Sequence, residues 1–184
     1  GRGLSLRGWP THRPLTCVCP DDALEFDDVL GDCLPQQKGD CDDCGLCHTA
    51  CSGGEVIFSE LNEQVFGRQP DNMLLGNFEN LFVGHATAGG VRSRGASGGV
   101  VTAVLCYLLE QGTVDGAVVL EMDEGEPWKA QVRIARTPEE VQAAAQSKYS
   151  LSPVNTILRE LEKLKGRFAY VGLPCQVHSL RKLQ

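Results

Sequence analysis

The chain reads as an α/β fold with a mainly parallel sheet, preceded by a loop-rich cysteine module. Two observations carry that reading. From about residue 100 onward, amphipathic helices alternate with short apolar strands, the pattern of helices laid on the faces of a sheet. Before residue 55 the composition differs: seven of the nine cysteines fall in residues 17–51, among glycines and acids, and the apolar stretches are short. A length of 184 residues suits one moderate core with a small module beside it.

Each element has its own signal. Val56-Ile57-Phe58 reads as a strand, and a less regular connection runs on to about Gly90. Val100, Val101, Val104, Leu105, Leu108 and Leu109 repeat at helical spacing, with Gly112 where a C-cap belongs. Ala117–Glu121 and Gln131–Arg136 read as strands. Thr137-Pro138-Glu139-Glu140 is a helix start, with Thr as N-cap, Pro in the first turn and Glu140 at the capping-box position. Ser152-Pro153 opens a helix with Val154, Ile157, Leu158, Leu161 and Leu164 on one face. Gly166 ends it, and Phe168–Leu173 forms an apolar strand.

Composition removes several function classes. No apolar run approaches the ~20 residues of a membrane span. A net charge of −7 argues against nucleic acid, whose phosphates call for clustered Lys and Arg. Nine of the 23 positions in residues 21–43 are Asp or Glu, and only Lys38 is basic. The first sixteen residues carry Arg2, Arg7 and Arg13 and no acid, and read as a disordered arm. With no initiator Met, the sequence is expected to be a fragment. Clustered thiols without a signal-peptide pattern fit a reducing compartment that loads metals, so a cytoplasmic location is expected.

The run Cys41-x2-Cys44-x2-Cys47-x3-Cys51 is the strongest chemical signal. Four thiolates at that spacing can wrap a 4Fe-4S cluster, the first three from one tight loop and the fourth closing the same cluster or reaching a neighbour. Zinc sites favour two Cys pairs parted by a longer spacer. Four cysteines within eleven residues would strain any disulfide pairing. The segment buries too little to fold on hydrophobicity, so a metal is expected to supply much of its folding free energy. Cys17, Cys19 and Cys33 are extra thiols that could serve a second cluster or stand free, and Cys106 lies mid-helix, where packing accounts for it.

Three further segments carry candidate chemistry. Ser93-Arg94-Gly95-Ala96-Ser97-Gly98-Gly99 leads into the Val100 helix. Small residues and a helix start suit a phosphate, with Arg94 as an added anion contact, or else form a turn that only packs the helix closely. Gly172-Leu173-Pro174-Cys175-Gln176 lies at the carboxyl end of a strand, the edge where open α/β sheets bind ligands. Cys175 at a helix start suits metal ligation or nucleophilic chemistry, against a buried structural thiol. Ser147-Lys148-Tyr149 offers one cation and one ring between two helices, as would a solvated linker. Among His12, His48, His85 and His178 no pair stands at ligand spacing, and His48, inside the cysteine loop, is expected to face solvent.

Taken in order, the cysteine run, Ser93 to Val100, Ser147-Lys148-Tyr149 and Gly172 to Gln176 resemble the beta subunits of coenzyme-420 (deazaflavin) hydrogenases and their dehydrogenase relatives, over about residues 40–184. The resemblance implies an iron–sulfur flavoprotein oxidoreductase subunit that binds FAD and at least one 4Fe-4S cluster. Residues 1–55 would be a ferredoxin-like iron–sulfur module with its disordered arm. Residues 56–184 would be the N-terminal portion of a flavin-binding domain, incomplete at its C-terminus. It further implies that Ser93, Arg94, Gly95, Ser97, Gly98 and Gly99 hold FAD phosphate or the flavin edge, that Lys148 and Tyr149 line the flavin or substrate pocket, and that Pro174, Cys175 and Gln176 lie near flavin or cluster, with Cys175 a candidate iron ligand beside Cys41, Cys44, Cys47 and Cys51.

Implied partners are the deazaflavin coenzyme or a related small electron carrier, and hydrogenase or dehydrogenase subunits. The family also includes chlorophyllide-type reductases and formate-dehydrogenase beta subunits, which leaves the substrate open. A non-catalytic 4Fe-4S relay docking on such a partner is the alternative, and a zinc-organised domain a third. One departure is local: the family usually has Pro directly after the fourth Cys, and here Ser52 stands there.

Overall fold

The computed structural model describes residues 18–27, 34–150 and 152–184. Its centre is a three-stranded sheet of order β4-β3-β5, with β3 at Gly116–Met122, β4 at Ala130–Ala135 and β5 at Phe168–Tyr170. β3 pairs antiparallel with β4, Val118 opposite Ile134, and parallel with β5, Ala117 opposite Ala169. The sheet is therefore mixed, not mainly parallel. Seven residues, 123–129, join β3 to β4, too few for a parallel crossover, so the chain turns back as a hairpin.

Alternation along the strands sends side chains to two cores. Ala117, Ala135 and Ala169 face Leu105, Cys106 and Val141 on one side. Val118, Val132, Ile134 and Tyr170 face Val154 and Ile157 on the other. The first core is roofed by α4 at Val100–Glu110 and α5 at Pro138–Ala143. α4 ends as its sequence suggests. Gly112 takes φ 61°, its N–H donates to Leu109 O, and Thr113 N–H donates to Leu108 O. Cys106 is buried there, with its thiol raised by burial, as a packing residue would be. α5 carries the expected capping box, Thr137 Oγ1 accepting from Glu140 N–H and Glu140 from Thr137 N–H.

Three other segments depart from expectation. Val56–Phe58 is not a strand. Ile57 caps α2 at Phe58–Phe66, whose Phe58, Leu61 and Val65 repeat at helical spacing, and Phe58 meets His178 edge-on at 5.2 Å. The helix expected after Pro153 is split into a 3-10 turn at Val154–Ile157 and α6 at Leu158–Lys163, with Leu164 already extended. The strand expected over 168–173 stops at Tyr170, and the chain leaves it for α7 at Pro174–Lys182.

The cysteine segment shares a core with the rest. A small hairpin, β1 at Leu24–Asp27 and β2 at Leu34–Gln37, precedes the loop, and α1 at Leu46–Ala50 carries Cys47. Val18, 2% exposed, and Ala50 pack with Leu158 of α6 and Leu180 and Leu183 at the end of α7. Asp22 forms an ion pair with Arg159 on the same side. Among the described residues no helix is long and apolar enough to cross a membrane.

Candidate functional site

The cysteine loop carries two left-handed residues in three: Asp43 takes φ 53° and Gly45 φ 73°. Asp42 Oδ1 accepts the Cys44 N–H at 3.1 Å, bending the chain between the first two cysteines. Cys41 and Cys44 are exposed, Cys47 and Cys51 half-buried, and all four are free thiols. The Leu46 N–H draws the Cys44 thiol down, but Asp42 and burial outweigh it, so the thiol lies above its ordinary value. Cys19 acts on Cys44 in the same sense, which sets the two within electrostatic reach, and its Sγ accepts the Ala23 N–H at 3.2 Å. Gly53 N–H reaches Cys51 Sγ at 3.3 Å, the kind of peptide donor that steadies a metal-bound thiolate.

Among the described residues, no three His, Cys, Asp or Glu side chains already stand together as a metal site. What fits a 4Fe-4S cluster is the donor chemistry: four unpaired soft thiols on one tightly curled, solvent-reachable loop. His48 is exposed, as expected. Cys17 and Cys33 lie outside the described residues.

α3 at Val91–Arg94 and a 3-10 turn at Ser97–Gly99 lead into α4. Ser97, Gly98 and Gly99 take φ of 48°, 76° and 72°, three left-handed residues in a row. A Cβ on Gly99 would come within 2.8 Å of Val91 O, and one on Gly95 within 2.7 Å of the Gly99 Cα. The chain's own packing therefore requires these glycines. Ser93 Oγ donates to Gly90 O at 3.1 Å, and Arg94 is held by Gly90 O at 3.3 Å and by Gln142 Oε1 at 2.7 Å.

Arg94 and Lys148, from segments fifty residues apart, line one cleft of ≈ 650 Å³ together with Glu121, Gln142 and Gln146. Lys148 Nζ donates to the carbonyls of Ala144 at 2.8 Å, Gln146 at 3.2 Å and Ala145. Burial lowers its ammonium below the ordinary lysine value, against the pull of Glu121. Glu121 is paired with Arg133, and among the described residues neither Arg94 nor Lys148 forms an ion pair. Glu139 lines the cleft as well, so two cations stand against two carboxylates there, and Arg94 and Lys148 are the groups in it that an anionic ligand could meet. Tyr149 is 99% exposed and does not line this cleft.

Pro174, Cys175 and Gln176 open α7, with Gln176 Oε1 accepting the Leu173 N–H at 2.7 Å. Cys175 is exposed, so it is not a buried structural thiol. It shares a helix face with Ser179 and Lys182, at i+4 and i+7, and those two touch the cysteine loop. Sequence reasoning missed Ser179, Lys182 and Gln142. A serine, a lysine near a helix end and a glutamine carry no signal until the partner is in place.

Residues 81–159 match the family model "Coenzyme F420 hydrogenase/dehydrogenase, beta subunit N-term". Residues 81–159 thus carry the N-terminal region of that family. It is 33% identical over 172 residues to the coenzyme F420-dependent sulfite reductase of Methanocaldococcus jannaschii, covering 92% of this chain and 24% of that protein. It is also 33% identical over 114 residues to the coenzyme F420 hydrogenase beta subunit of Methanothermobacter thermautotrophicus, 61% of this chain and 40% of that one. The chloroplastic 7-hydroxymethyl chlorophyll a reductase of rice is 32% identical over 165 residues, 80% and 34% of the two chains. A solved structure of the F420-reducing nickel–iron hydrogenase complex from Methanosarcina barkeri superposes with TM-score 0.50 at 28% identity, over 53% of this chain and 34% of that one. The chain thus spans between a quarter and two fifths of these curated relatives.

Proposed function

We propose that this chain is the cofactor-bearing N-terminal part of an iron–sulfur flavoprotein oxidoreductase subunit, moving electrons between a two-electron carrier of the deazaflavin type and one-electron acceptors. The relatives' names support the class: a hydrogenase subunit and a sulfite reductase, both described by coenzyme F420. The observation that carries the reading is that the loop bearing four free cysteines packs, through α1 and α7, against the unit that carries the family region.

In this reading Cys41, Cys44, Cys47 and Cys51 hold a 4Fe-4S cluster, with Cys175 on the α7 face that meets the same loop. Arg94 and Lys148 bind the phosphates or the acidic edge of FAD or of the carrier, while Ser93, Ser97 and the Gly95–Gly99 turn set Arg94 in place. Flavin supplies the junction between hydride and single-electron transfer when bound. Gln142 orients Arg94, and the carbonyls of Ala144 to Gln146 hold the Lys148 ammonium at the cleft wall. Partner hydrogenase or dehydrogenase subunits follow from the same class.

The test is the visible spectrum of anaerobically purified protein, with iron, zinc and released flavin quantified. Iron with stoichiometric FAD is the expected result. Iron without flavin makes the chain an electron relay instead, and zinc in colourless protein overturns both readings.

A further inference from the structure

α7 is the element through which the cysteine loop is held, and the contacts fall on two side chains with no role in the reading above. Ser179 is 3% exposed, and its Oγ accepts the Ser52 N–H at 3.0 Å. Ser52 directly follows the fourth cysteine, so this bond fixes the peptide that joins it to Cys51. One turn further along, Lys182 Nζ donates to the carbonyl of Cys51 itself at 2.9 Å and to that of Glu55 at 2.6 Å. Leu180 and Leu183, packed with Ala50 and Val18, seat this end of the helix against α1, so the lysine is presented from a rigid support.

We infer that Ser179 and Lys182 position and tune a cluster on this loop: Ser179 fixes the peptide that follows Cys51, and the Lys182 ammonium raises the cluster's reduction potential. The inference rests on the reading of the four cysteines as iron ligands. Taking up one electron makes a cluster one unit more negative, and a cation held against the backbone of a ligand residue stabilises that reduced form over the oxidised one. Water between the groups screens the effect only in part, because Lys182 is half-buried. Glu55 and Glu60 line the same cavity of ≈ 480 Å³ as Lys182 and His48, so the lysine's contribution is read as a difference between variants and not from an absolute potential.

The experiment is a dithionite titration of the anaerobic full chain, followed by electron paramagnetic resonance, with iron and acid-labile sulfide measured in the same samples. Lys182→Met is expected to keep the parent's iron and titrate at a lower midpoint, while Lys182→Arg keeps both iron and midpoint. Ser179→Ala is expected to lose iron to a chelator several-fold faster than the parent, and Ser179→Thr to restore the slow rate. If Lys182→Met fails to load iron while Lys182→Arg loads it, the tether is shown by occupancy instead of potential. Full iron at the parent's midpoint in Lys182→Met, with Ser179→Ala as slow as the parent, overturns the inference and leaves the ligand assignment standing. A parent chain that holds no iron overturns the ligand assignment, and the inference falls with it.

Discussion

Gly99 and Cys44 show how differently two residues of a candidate site are constrained. Gly99 takes φ 72° with a backbone carbonyl 2.8 Å from where its Cβ would be. Gly99→Ala must therefore move the Val91 turn or leave the left-handed region. A loss on the order of 1–3 kcal/mol is expected, read as a lower denaturant midpoint at unchanged slope. An unchanged midpoint would mean that the turn relaxes freely. Cys44 is exposed and its peptide is fixed by Asp42, so its side chain contributes little to packing. Cys44→Ser is expected to abolish cluster loading, and iron content equal to the parent's would remove Cys44 from the ligands. The sequence singled out both residues as site candidates, and the structure gives each a different local constraint. The glycines of the 95–99 turn looked like room for a ligand, and that room is taken by the chain itself. Ser179 and Lys182 were illegible because their meaning lies in partners more than a hundred residues away.

Local codes were the legible part at the scale of elements. The start of α5 is written in four consecutive residues, and every contact it promises forms. Removing the cap by Thr137→Ala is expected to cost about 1 kcal/mol in a denaturation experiment. Glu140 adds a pH signature. The Arg136 N–H, more than the Thr137 N–H, holds its carboxyl below the usual range. A depressed carboxyl stabilises the fold above its unfolded value, and that stability is lost as pH falls through the folded value. Glu140→Ala is therefore expected to be less stable than the parent near neutrality, with the gap closing in acid. A gap independent of pH would assign the effect to helix propensity alone. Non-local choices were harder to read. Val56-Ile57-Phe58 has strand composition, but the spacing running on through Leu61 and Val65 is helical, and the segment forms α2 although none of its residues is buried. The parallel sheet was inferred from alternating elements, and the seven-residue link after β3 decided otherwise.

Across the whole molecule, the described surface carries more large apolar side chains than its cores need. Leu74 is 96% exposed and Phe82 89%, and Met73, Leu75, Leu81 and Val83 lie exposed in the same stretch. On α4, Val101, Val104 and Tyr107 are also exposed, although Leu105 and Cys106 on the other side are buried. The periodic pattern over residues 100–109 made that helix easy to find, yet it could not say that half of its apolar residues face outward. Leaving so many large apolar side chains in water is costly, at roughly 25 cal/mol per Å². The chain covers 24% of the sulfite reductase and 40% of the hydrogenase subunit. Purified alone, the 184-residue chain is accordingly expected to bind a hydrophobic dye in its native state and to self-associate with rising concentration. Leu74→Ser combined with Phe82→Ser should lower both signals without changing the far-ultraviolet circular dichroism, since neither side chain is part of a core cluster. Sedimentation velocity decides it: a monomer at every concentration, with no dye bound, would mean that the 73–83 stretch folds back onto the chain in solution and buries what stands exposed here.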